Sequence, residues 1–145
     1  GGIVVPPLLP VAERFGANAV AILGFRNAQA AILENDFKKT GANTLLCTDD
    51  GTYGRKGFVT AALEEHLESE RPDYICACGP MVMLKKVTEI AMAHSIPCQI
   101  SLEERMACGV GACLGCACKI RRNGEEVYLH VCKDGPVFSG EEVVF

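Results

Sequence analysis

Apolar runs of strand length alternate with amphipathic stretches along most of this chain. Residues 19–25 form an apolar run, and 28–39 carry Ala31, Ile32 and Phe37 with charged residues between, which predicts a strand followed by a helix. The unit then repeats. Residues 44–47 read as a strand ending in Thr48-Asp49-Asp50-Gly51, and 57–68 as a helix with Val59, Ala62, Leu63 and Leu67 on one side. A third strand over 74–78 and a third helix over 81–93 follow, the latter with Met81, Leu84, Val87, Ile90 and Ala91 at helical spacing. A short fourth strand over 97–101 closes the series, and Pro6 and Pro7 occupy the first helical positions of a segment over 6–15. Alternating strands and helices predict an α/β fold with a parallel sheet covered on both faces and ligands at the carboxyl ends of its strands. Further on, 119–122 and 126–130 read as a β-hairpin round Asn123-Gly124.

Composition narrows the classes of partner. With 145 residues the chain has room for one domain with a substantial core, or one domain and a small appendage. A net charge of −4 and the lack of a basic run argue against nucleic acid and anionic lipid as partners. The apolar runs are broken by charge or proline well short of a bilayer-spanning length, and no basic-apolar-small leader pattern opens the sequence. No membrane association is expected, and the cytoplasm is the expected location.

The candidate chemistry is concentrated in residues 106–118, MACGVGACLGCAC, which place Cys108, Cys113, Cys116 and Cys118 in one short stretch. Cys108-x4-Cys113-x2-Cys116 with a later Cys132 is the plant-type ligand spacing of a [2Fe–2S] cluster. Gly109, Gly111 and Gly115 stand between the ligands, where the backbone must turn sharply and aim N–H groups at sulfur. Zinc and disulfides remain open at this point. Zinc sites more usually show two Cys-x2-Cys pairs or a histidine, and thiol-rich chains without a secretion signal more often bind metal or catalyse. Cys118 reads as buried packing, and His130 alternates with Cys132 along the strand expected there. Glu103, Glu104 and Arg105 read as a charged connector, which puts a domain boundary between 1–102 and 103–145.

The strand ends carry a second set of candidates. Gly24-Phe25-Arg26-Asn27 follows the first strand, and Arg26 suits a phosphate or the face of an adenine. In the loop after the second strand, Asp49 suits a ribose hydroxyl or a capped turn. Cys78-Gly79-Pro80 ends the third strand and turns at once into a helix, leaving a thiol at the strand tip where a flat ring fits. Cys47, Cys76 and Cys98 are expected in the core. Gly1-Gly2, ahead of the first helical segment, suits the close approach of a pyrophosphate.

GGIVVPP, TDDGTYGRKG, the Cys-Gly-Pro turn and MACGVGACLGCAC…VCKDGPVF together resemble the electron-transfer subunits of B-type dihydroorotate dehydrogenase, a branch of the ferredoxin-NADP reductase superfamily. The resemblance implies a Rossmann-like NAD-binding domain over 1–102 and a small [2Fe–2S] module with a β-hairpin over 103–145. It makes Cys108, Cys113, Cys116 and Cys132 the cluster ligands and puts Gly1 and Gly2 in the pyrophosphate loop. Cys78, the catalytic candidate, would sit with Gly79 and Pro80 beside the nicotinamide, and Arg26 and Asp49 would serve the adenosine half. It further implies FAD on an N-terminal domain that this chain lacks, and an FMN-containing catalytic subunit as partner in a heterotetramer. Hydride carries two electrons and such a cluster accepts one at a time, so a flavin must stand between them, and the chain alone is expected to be inactive. Two other readings stay open: the small subunit of an NADPH-dependent ferredoxin reductase or hydrogenase gamma type, which shares the layout, and, from another class, a non-enzymatic metal-binding docking module with no affinity for NADH.

Overall fold

The structure, a computed structural model, describes residues 2–145. The chain packs as two compact units, residues 1–71 and 72–145. The expected boundary at 102/103 falls inside the second.

In the first unit, Pro6–Leu8 form a 3₁₀ turn that runs into helix α1 (Leu9–Phe15). Strand β1 (Val20–Phe25) follows and then α2 (Glu34–Lys39). β2 (Asn43–Thr48), the two-residue β3 (Arg55–Lys56) and α3 (Val59–Ser69) complete the unit. The three strands form a parallel sheet in the order β1-β2-β3, with Val20 beside Asn43 and Phe25 beside Thr48. Leu23, Phe25, Phe37 and Leu46 are the centre of its core, with Val5 from the N-terminal segment and Ala12 from α1.

One expected helix is not continuous. Over 28–39 the chain makes a 3₁₀ turn at Ala28–Ala30, capped by the Asn27 side chain accepting from Ala30 N at 3.0 Å, and only then α2. Leu33 between them has φ +60°, a left-handed conformation that no α-helix interior accommodates.

The second unit begins with β4 (Ile75–Cys78), α4 (Met81–Ala93) and β5 (Cys98–Ser101). β6 (Ala117–Arg122) and β7 (Glu125–His130) form the expected hairpin, in register from Ala117 beside His130 to Arg122 beside Glu125. Asn123 and Gly124 both have positive φ, 53° and 83°, as the favoured two-residue turn requires. The short α5 (Val131–Asp134) and β8 (Val137–Ser139) end the regular structure. β4 and β5 pair in parallel, and β8 returns antiparallel to β5.

Two thiol expectations are settled by these elements. Cys47 and Cys98 are in the core, whereas Cys76 is exposed, since β4 alternates and turns that residue outward between buried Ile75 and Ala77. Cys132 lies in the helical turn α5 and not on a strand, so its expected alternation with His130 does not apply.

Candidate functional site

The cysteine-rich segment leaves β5 at buried Leu102, passes the exposed connector 103–105, and loops without regular structure until β6 begins. Gly109 and Gly111 both sit at positive φ, 70° and 79°, and this curls the chain back over Cys108. The Cys108 Sγ accepts from Ala112 N at 3.2 Å and from Val110 N at 3.5 Å. These N–H groups, Val110 first, with help from the Cys113 N–H and thiol, push the Cys108 thiol down to about 6. Cys108 is therefore largely a thiolate at neutral pH, the form that binds a soft metal.

The hairpin delivers the other thiols. Cys116, 2 % exposed, stands just before β6, and its carbonyl accepts from Val131 N at 3.0 Å. That bond ties the end of β7 to the start of β6, and Cys132 follows one residue later. Cys132 N donates to Cys116 Sγ at 3.4 Å. The Cys132 thiol is pushed up, chiefly by its hydrogen bond to Cys116 and then by burial, against the Gly111 N–H that favours its thiolate. The Cys108 charge also reaches it. The thiols thus act on one another, Cys113 favouring the Cys108 thiolate and Cys116 opposing that of Cys132, whose N–H also donates to the Cys116 sulfur.

Among the described residues no group of three or more Cys, His, Asp or Glu side chains closes on one point as a single metal ion would need. The donor set itself fits an iron–sulfur group: four soft thiols, with the N–H groups of Val110 and Ala112 aimed at the Cys108 sulfur and that of Cys132 at the Cys116 sulfur. Cys118 stands apart. It is buried on the inner face of the hairpin, where its thiol donates to Leu129 O at 3.5 Å. Met106, Val110 and Leu114 are 52 %, 69 % and 66 % exposed on the loop.

The first unit brings Arg26 and Asp49 to one edge. β1 and β2 end side by side, and the ladder continues past them: Asp49 N donates to Phe25 O at 3.0 Å and Asp50 N to Arg26 O at 3.3 Å. Both side chains are exposed. The loop after β2 is then closed on itself. The fully buried Thr48 hydroxyl donates to Tyr53 O at 2.6 Å and accepts from Tyr53 N at 3.2 Å. Asp50 Oδ1 accepts from Thr52 N at 2.9 Å and from Thr52 Oγ1 at 2.7 Å. Thr52 Oγ1 in turn accepts from Ala28 N at 2.9 Å, which joins this loop to the one after β1. Gly54 has φ +65°, and a β-carbon there would strike the Leu46 carbonyl. Tyr53 OH donates to Glu34 Oε2 at 2.9 Å, and Lys38 Nζ lies 2.6 Å from Glu34 Oε1. Lys38 first, then Tyr53, holds the Glu34 carboxyl below its ordinary value.

Thr48, Thr52, Tyr53 and Glu34 were not singled out by sequence reasoning. The only sequence signal among them is the spacing of Glu34 and Lys38, four apart on a helix.

Gly2 opens a 3₁₀ turn, Gly2–Val4, that packs beside β1, with φ +64° and its carbonyl accepting from Val5 N at 3.4 Å. Gly1 lies outside the described residues. In the second unit Cys78 is the last residue of β4 and 2 % exposed. Burial pushes its thiol up, while a hydrogen bond with Ser101, its neighbour on β5, works the other way. Gly79 is buried, and exposed Pro80 caps α4, its carbonyl accepting from Leu84 N at 3.0 Å.

Residues 103–144 match the model of the iron-sulfur cluster binding domain of dihydroorotate dehydrogenase B. Over its whole length the chain is 46 % identical to the dihydroorotate dehydrogenase B (NAD(+)) electron transfer subunit of Caldanaerobacter subterraneus, covering 57 % of that protein. It is 45 % identical to the subunit of the same name in Geobacillus thermodenitrificans and 40 % identical to the probable one of Methanocaldococcus jannaschii, covering 55 % of each. The chain thus spans little more than half the length of these relatives. A solved NADH-dependent reduced ferredoxin-NADP oxidoreductase, described for flavin-based electron bifurcation, superposes with a TM-score of 0.82 at 33 % identity, over 99 % of this chain and 51 % of that one. The fold is accordingly of the ferredoxin-reductase type, with an iron–sulfur segment following the α/β part.

Proposed function

Taking the chain as a member of the family of dihydroorotate dehydrogenase B electron-transfer subunits, we propose that it carries the NAD(H) and [2Fe–2S] stations of such a subunit, in pyrimidine biosynthesis. Residues 1–102 bind the dinucleotide and 103–145 hold the cluster. The observation that carries the reading is the loop that aims the Val110 and Ala112 N–H groups at Cys108 Sγ and the Cys132 N–H at Cys116 Sγ, so that Cys108, Cys113, Cys116 and Cys132 would hold a [2Fe–2S] cluster.

A cluster of this kind passes one electron at a time, and FAD on a separate domain is needed to split the hydride pair. The chain's own residues hold and shield. Cys108, Cys113, Cys116 and Cys132 ligate, and the Val110, Gly111 and Ala112 N–H groups hydrogen-bond the ligand sulfurs. Arg26 and Asp49 take the adenosine half of NAD(H), Gly1 and Gly2 face its pyrophosphate, and Cys78, Gly79 and Pro80 meet the nicotinamide. The receiving partner is an FMN-containing catalytic subunit, in a cytoplasmic heterotetramer. Without FAD the chain by itself does not oxidise NADH.

The likeness to a ferredoxin-NADP oxidoreductase supports a second reading, in which the same stations serve a ferredoxin-type acceptor. Purification of the intact complex from the native cell separates the two. A dihydroorotate-oxidising, FMN-containing subunit in that complex, with NAD⁺ reduced at the expense of dihydroorotate, supports the first reading. A complex that reduces ferredoxin and is silent towards dihydroorotate overturns it.

A further inference from the structure

We propose that Lys133 sets the reduction potential of the cluster, its ammonium stabilising the state that holds one more electron. This rests on the iron–sulfur reading above. Lys133 follows the ligand Cys132 in α5, and its alkyl stem crosses Gly111, which lies between Cys108 and Cys113. A β-carbon built on Gly111 would come 2.7 Å from Lys133 Cδ, 3.3 Å from its Cβ and 3.6 Å from its Cγ. The stem therefore fills the space that a side chain at Gly111 would need. The Gly111 N–H beneath it favours the Cys132 thiolate. Only two bonds separate Cδ from Nζ, so the ammonium stays within about 2.5 Å of Cδ and cannot leave the ligand loop while the stem is seated. The other charged residue of the turn, Asp134, accepts from the His130 N–H at 2.8 Å and also feels the Lys133 charge, so it offsets part of that charge without removing it.

The step concerned makes and breaks no bond. The oxidised cluster takes one electron from a reductant, dithionite in the test below, and its net charge becomes one unit more negative. A cation held over the loop favours that product, and an exposed charge about 4 Å from the added electron is worth roughly fivefold in the one-electron equilibrium. At 59 mV per factor of ten for a one-electron couple, fivefold is about 40 mV.

The test is a potentiometric titration of the full chain, reconstituted with iron and sulfide without oxygen and followed by bleaching of the visible bands. Wild type is compared with Lys133→Met, which keeps the stem over Gly111 and loses the charge, and with Lys133→Arg, which keeps both. The methionine variant is expected about 40 mV more negative at low ionic strength, the gap narrowing as salt is added, and the arginine variant within twofold of wild type. A methionine variant at the wild-type potential overturns the proposal, and so does an arginine variant displaced as far as methionine. Failure of Lys133→Met to load under conditions that load wild type also overturns it, because the residue then holds the loop and not the potential. If the wild-type chain takes up no iron and sulfide, the iron–sulfur reading falls first, before any variant is compared.

Discussion

Replacing Thr48 by valine removes one hydroxyl that closes the loop after β2 in two directions. The side chain is fully buried, donates to Tyr53 O at 2.6 Å and accepts from Tyr53 N at 3.2 Å. Valine keeps the shape and leaves both Tyr53 backbone groups without that partner. At about 1 kcal/mol per lost hydrogen bond, and more for a group left dry, the change costs about 2–3 kcal/mol. For a chain of this size that is a fall in Tm of roughly 4–12 °C. Thr48→Ser keeps both bonds and loses one buried methyl, for about 1 kcal/mol. Because the loop holds Asp49 at the crest, Thr48→Val is also expected to weaken NADH binding, and serine to preserve it. Thermal unfolding by circular dichroism and NADH titration read the two effects. Valine and serine variants of equal Tm, or a valine variant with undiminished NADH affinity, would refute the view that this hydroxyl organises the crest.

Two further outcomes follow from the same structure. Cys118→Ala keeps a full complement of iron and sulfide, because that thiol serves the hairpin interior and bonds Leu129 O; loss of the cluster in this variant would show that the ligand set is misassigned. The crest is also expected to loosen in acid. Hydrogen bonds from Thr52 hold the Asp50 carboxyl below its ordinary value, and Lys38 and Tyr53 do the same for Glu34. A folded-state value below the unfolded one gives stability that is complete above the unfolded carboxylate range and lost as pH falls through the lowered folded values. Amide exchange of the loop over 49–54 should therefore accelerate below pH about 4 relative to the sheet, and in Asp50→Asn that acid response should be reduced; an unchanged response would contradict the assignment.

The parts legible in the sequence were those set by local chemistry. Thiolates that must wrap one group impose the Cys108, Cys113, Cys116 spacing, and Asn123-Gly124 satisfies a turn that few other pairs can adopt. Strands β1, β2, β4 and β5 were plain because a sheet buried by helices needs apolar runs, whereas the exposed two-residue β3, Arg55–Lys56, has none. What escaped depended on distant pairing. β8 exists because Val137–Ser139 finds the free edge of β5, and nothing within those three residues announces it. The break at Leu33 hides inside a helical pattern, since a left-handed leucine leaves no compositional mark. Thr52 and Tyr53 look like ordinary loop residues until Ala28 after β1 and Glu34 of α2 are brought beside them, and Thr48 like an ordinary strand end until Tyr53 folds back onto it.

Iron and acid-labile sulfide analysis of the anaerobically reconstituted chain, with its visible spectrum, tests the four-thiol ligand set most directly. Two irons and two sulfides per chain, abolished by Cys113→Ser, are the predicted result. One zinc and no sulfide after the same treatment would contradict it.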